Sequence, residues 1–183
     1  MGYALRAGGS VEDPGRLLAA ALGAEGAALL RPYCEAVVLD AGATLLQEGV
    51  PAAHLFLIVA GAVAVQVEGR EGPVEVARCG PGAWLGEVGF IDRGPATSTV
   101  VAVDQVSALR IRHETLLQIE TEAPRAAAAL LRHVTRQLAQ RIANGSAGVV
   151  EEVAPGTHRF RQPAEARGWM SRVFGWIVGG DAP

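Results

Sequence analysis

The 183 residues are half hydrophobic and 19% charged, with a net charge of −3, enough chain for one well-cored domain with short extensions. That charge excludes a broad nucleic-acid footprint, and two cysteines, Cys34 and Cys79, exclude a disulfide framework and predict buried, reduced thiols in a cytoplasmic protein. The start, Met1 to Ser10, lacks the apolar core of a secretion signal, and the longest apolar run, Leu55 to Val65, is broken by Gly61 and falls short of the ~20 residues a bilayer span needs.

Residues 1–33 read as an N-terminal helical segment. Residues 1–13 form a lead-in, and Pro14 to Leu22 and Ala24 to Arg31 are two short helices, started by Asp13-Pro14 and separated by Gly23. Leucines 17, 18, 22, 29 and 30 fit one buried stripe. From Cys34 to Arg112 the apolar period shortens to that of strands. Val37–Leu39, Thr44–Gln47, His54–Ala60, Ala62–Glu68, Val74–Cys79, Ser98–Ala102 and Gln105–Arg112 are the candidates, with turn signals between them. Short strands at this spacing predict a mainly β fold, an antiparallel β-roll of jelly-roll type with flanking helices.

Trp84 to Ala102 is the stretch with chemistry in it. It reads as a strand end, the glycine-flanked Glu87, one short helical turn, the Gly94-Pro95 corner and the hydroxyls of Thr97, Ser98 and Thr99. Unpaired amides at the start of a short helix seat an anion, and Gly86 and Gly89 let a phosphate approach them.

The chain then predicts a short helix over His113–Glu120 and a longer one over Pro124–Ala143, stopped by Asn144-Gly145. Ala127, Leu131, Val134, Leu138 and Ile142 line its apolar face, with Arg132, Arg136, Gln140 and Arg141 elsewhere. The roll and its closing helices occupy residues 34–145. Residues 146–163 read as a linker and 164–183 as an amphipathic tail, where Trp169, Val173, Phe174, Trp176 and Ile177 form the partner-binding stripe.

Leu85-Gly86-Glu87, Pro95 and Thr97-Ser98-Thr99-Val100 resemble the phosphate-binding cassette of the cyclic-nucleotide-binding domain family. Ala41-Gly42, Gln47-Glu48-Gly49, Phe56 to Gly61 and Cys79 to Glu87 extend the resemblance over about residues 35–143. The family includes catabolite-activator-type regulators, regulatory subunits of cAMP-dependent kinases and cyclic-nucleotide-gated channels. The resemblance implies an eight-stranded β-roll that takes cAMP or cGMP as ligand rather than a bound cofactor. It assigns the ligand to Gly86, Glu87, Val88, Thr97 and Ser98, with Glu87 accepting from the ribose hydroxyl and Thr97 donating to phosphate. It further implies closing helices that cover the base and often dimerise. One position departs from the pattern. Ala96 stands where the family has its phosphate-binding arginine, and Arg93, three residues earlier, is the first candidate to replace it, ahead of Arg110 and Arg112.

Two readings follow from these residues. One is a regulatory module that senses a cyclic nucleotide and relays it to a partner through the closing helix and tail. The other is an interaction or scaffold module with a ligand-free cassette, docking through the tail. No enzyme is expected: His54, His113, His133 and His158 form no metal-ligand pair within a strand, and Ser98 lacks a nucleophile's strand-turn-helix setting. Residues 144–183 show no basic recognition helix, so no DNA contact is expected, and a membrane surface fits the tail less well than a protein partner or a second copy.

Overall fold

The computed structural model describes residues 12–146. Helix α1 (Pro14–Leu30) starts at Asp13, whose side chain accepts from the Gly15 N–H at 3.1 Å, with proline at the first helical position. At Gly23 the backbone leaves helical geometry (φ 77°, ψ 163°), so α1 consists of the two expected short helices, joined at that glycine. Leu18 and Leu30 are fully buried, Leu17 and Leu22 pack at the margin, and Leu29 is exposed.

A 3-10 turn at Arg31–Tyr33 leads into eight strands: β1 (Glu35–Leu39), β2 (Thr44–Leu46), β3 (His54–Ala60), β4 (Val63–Gly69), β5 (Gly72–Cys79), β6 (Trp84–Leu85), β7 (Thr99–Ala102) and β8 (Val106–Arg112). Helix α2 (Glu87–Asp92) sits between β6 and β7, and helices α3 (His113–Glu122) and α4 (Pro124–Ser146) follow β8. The strands form two four-stranded antiparallel sheets, ordered β1-β8-β3-β6 and β2-β7-β4-β5. All seven expected strands are present, and the short β6 is the eighth.

Strand β3 explains the longest apolar run. Successive side chains on a strand point to opposite faces. Phe56 and Ile58 enter the core between the sheets with Leu46, Val63, Val100, Val106 and Ala108. Leu55, Leu57 and Val59 enter a second core under the helices with Leu18, Leu30, Phe90, Ile119 and Leu130. A strand buried on both faces reads as continuous hydrophobicity.

Two details of α4 differ from the sequence expectation. The helix continues through Asn144-Gly145 to Ser146. Its core face runs through Ala126, Ala127, Leu130 and Val134, all buried, with Leu138 packed at the margin. Leu131 is only half-buried. A step of three from Ala127 to Leu130 keeps the stripe on one side, where the expected step of four to Leu131 carries it toward solvent.

Candidate functional site

The site is built around α2. β6 ends at Leu85, Gly86 turns the chain in the left-handed region (φ 88°), and Glu87 begins the helix. A Cβ on Gly86 would run into the His54 carbonyl of β3. A Cβ on Gly89 would run into the Ala52 side chain and lie 2.8 Å from the Gly94 carbonyl. Both glycines are therefore required by the fit of α2 against its own roll, whatever their part in phosphate approach.

Glu87 is only 3% exposed. Its Oε1 pairs with the Arg141 guanidinium of α4, which also donates through Nη2 to the Trp84 carbonyl at 3.1 Å. Two turns earlier on α4, the His133 ring lies against Trp84 with centroids 5.2 Å apart. Burial holds the His133 pKa below its usual range, and its buried Nε2 has no partner among the described residues. Thus α4 meets the strand end and the helix start at three points: the indole, the Trp84 carbonyl and the Glu87 carboxylate.

The other end of α2 is tied to α3. The Phe90 carbonyl, near the helix end and without a fourth-residue donor beyond it, receives the His113 imidazole Nδ1–H. The Phe90 ring stands edge-on to that imidazole at 5.7 Å, and the His113 N–H donates to the Ala53 carbonyl at 2.8 Å. Six residues of cassette helix are held by α4 at the start and by α3 at the finish.

The remaining expected residues are distributed as follows. Val88, Thr97 and Ser98 are half-buried beside α2 and its exit loop. Thr99 Oγ1 accepts from the Glu48 N–H at 3.1 Å, linking the hydroxyl cluster to the loop before β3. Ala96 is 7% exposed and its methyl belongs to the core between the sheets. Its N–H donates to the Val50 carbonyl at 2.8 Å and its carbonyl accepts from the Gly49 N–H at 2.9 Å. Arg93 caps the end of α2 in the left-handed region (φ 55°) and is exposed. Arg110 and Arg112 both turn to Glu35 on β1, at 2.8 and 3.3 Å, and their hydrogen bonds hold the Glu35 carboxyl below the usual range. Among the described residues, the cation brought to the cassette is Arg141. On the sequence Arg141 falls outside the apolar face of the long helix, and nothing local marks it as the partner of Glu87.

Burial pushes the Cys34 thiol up to about 11 and raises that of Cys79, so both are poor nucleophiles. No group of three His, Cys, Asp or Glu converges as a metal site among the described residues. No described helix is long and apolar enough to cross a membrane. Two surface grooves, of about 520 and 400 Å3, lie along α4 and between α1 and α4, and no cassette residue lines either. The tail residues Trp169, Val173, Phe174, Trp176 and Ile177 lie outside the described residues.

With this geometry in hand, comparisons with known proteins agree. The cyclic nucleotide-binding domain matches residues 36–122. The chain is similar to the N-terminal domain of a transcriptional regulator from Streptomyces coelicolor A3(2), 35% identical, covering 68% of this chain and 89% of that one with a TM-score of 0.59. It is also similar to a cyclic nucleotide-binding-like protein from Brucella abortus, 32% identical, covering 61% of this chain and all of that one with a TM-score of 0.54. Among curated proteins it is 29% identical over 132 residues to a CRP-like cAMP-activated global transcriptional regulator from Mycobacterium tuberculosis. That match covers 70% of this chain and 58% of the regulator, so the chain spans little more than half the length of that relative.

Proposed function

Because the chain belongs to the cyclic nucleotide-binding domain family, we propose that it is a non-catalytic regulatory module that senses a cyclic nucleotide, cAMP or cGMP, and reports it to a protein partner through α4. The observation that carries this reading is the Arg141–Glu87 pair. A ribose hydroxyl needs an acceptor and a cyclic phosphate needs a cation. Glu87 and Arg141 are those two groups, and each is now the other's partner. Ligand entry would turn Glu87 toward the hydroxyl and the guanidinium toward the phosphate, keeping charge balanced while drawing α4 to a new position. Occupancy and helix position then share one equilibrium, biased by the ligand's preference for one state.

Ala96 supplies no charge, and a lost guanidinium fork removes interactions of about 1.5–3 kcal/mol each, at least about tenfold in affinity. Arg141 offsets part of that loss. Arg93, exposed at the end of α2, is the second candidate cation. A second reading rests on Ala96 as well: its methyl is part of the inter-sheet core, which fits an interaction module whose cassette holds no ligand.

Calorimetric titration with cAMP, cGMP and a cyclic dinucleotide separates the two. Sensing predicts heat from cAMP or cGMP, with Arg141→Ala and Glu87→Ala each weakening binding by at least about tenfold. Silence from all three nucleotides overturns sensing and leaves the ligand-free interaction module.

A further inference from the structure

We propose that the acidic outward face of α3 is a docking surface for an arginine-bearing stretch of the same chain, residues 156–180, an inference independent of whether the cassette takes a nucleotide. Helix α3 buries His113, Leu116 and Ile119 and turns Glu114, Leu117, Gln118, Glu120 and Thr121 outward. Leu117 is 57% exposed, the most exposed large apolar side chain among the described residues. Glu114 and Glu120 stand one turn before and one turn after it. Neither carboxylate has an arginine partner among the described residues. The helix itself contains no arginine or lysine, and Arg112, just before it, is paired with Glu35. An apolar side chain set between two carboxylates fits an apolar group flanked by cations.

The sequence supplies such a group. Residues 156–180, outside the described residues, carry Arg159, Arg161, Arg167 and Arg172 against one carboxylate, Glu165, and Arg167 and Arg172 bracket Trp169. Reach is sufficient. Helices α3 and α4, of 10 and 23 residues, measure about 50 Å even if laid end to end. The chain from Ser146 to Arg167 spans up to about 66 Å when extended. Attachment to the same chain gives an effective concentration on the order of millimolar, so a surface with one central leucine can hold a tethered segment where a free partner would escape. Two copies meeting face to face would set glutamates against glutamates, and the same charges repel an anionic membrane surface. Strand β1, where Val38 is 55% exposed, fits less well, because its one carboxylate, Glu35, is shared by Arg110 and Arg112.

The test uses the full chain and reads its tryptophans. Trp84 is buried and supplies a background common to all variants, so changes report Trp169 and Trp176. Leu117→Asp, at an exposed position and with folding checked by a melting curve, should shift the emission to the red and raise acrylamide quenching. E114R/E120R and R167E/R172E should each do the same, as should high salt in part. A chain carrying both pairs of reversals should recover the parent's spectrum. Tryptophans as accessible in the parent as in R167E/R172E overturn the proposal. So does shielding that Leu117→Asp and E114R/E120R leave untouched, or a doubly reversed chain that stays released. Shielding that is lost on dilution would assign the contact to a second copy and overturn it too.

Discussion

Glu87 is a charged side chain carried almost fully out of water, and its cost is met by one guanidinium. Arg141→Ala would leave that carboxylate buried with its charge-assisted bond gone. Because the Arg141 side chain is itself 49% exposed, water can enter where it stood, so the loss should be about 1–3 kcal/mol rather than the 3–5 of a fully enclosed pair. Urea denaturation measures it. Adding Glu87→Gln in the same chain should recover part of the loss, and a single Arg141→Ala as stable as the parent would mean that the pair contributes nothing. Gly89 carries a different demand. Gly89→Ala drives a methyl into the Ala52 side chain and toward the Gly94 carbonyl, both in buried surroundings. Overpacking of this kind costs about 1–3 kcal/mol, and a cassette glycine needed only for ligand approach would tolerate the change in the absence of ligand.

At the scale of elements, α2 is a short helix with no stability of its own, held in place by what grips its ends. His113 is the grip toward α3. His113→Phe keeps an aromatic ring against Phe90 but leaves the Phe90 carbonyl unpaired, a loss of about 1–3 kcal/mol. Hydrogen exchange should quicken over residues 87–92 and 114–122 while β3 and β4 stay protected. Uniform quickening across the roll would mean that His113 supports the fold at large rather than this joint. Such ties were the part the sequence concealed. Strand alternation, Asp13-Pro14, the Gly23 kink and the cassette itself were legible because each is written in neighbouring residues. Arg141 meets Glu87 across 54 positions, and His113 meets Phe90 across 23. Neither pairing has a local signature, and both arginine and histidine are equally at home in solvent. Leu131 failed for a related reason: a helical stripe one residue wide can slide by a turn's fraction without breaking its period.

For the molecule as a whole, two histidines make stability depend on pH, and the sign can be worked out. His54 is lowered from 6.5 by burial first and then by Arg110 and Arg112, and His133 is lowered chiefly by burial against Trp84 and its surroundings. A folded pKa below the unfolded one means that the unfolded chain binds protons more readily. The stabilisation is complete above the unfolded value and is lost as pH falls through it toward the folded values. Glu35, lowered by Arg110, follows the same sign in a more acidic window, below its ordinary 4.5. The melting temperature should therefore fall as pH drops from about 7.5 to about 5, a range set by the ordinary histidine pKa. His133→Gln should flatten the decline, and it should flatten any accompanying quenching of tryptophan fluorescence over the same interval, because the imidazole lies tilted against the Trp84 indole. A melting temperature that rises on acidification, or a decline that His133→Gln leaves unchanged, would move the proton uptake away from the joint between α4 and the cassette.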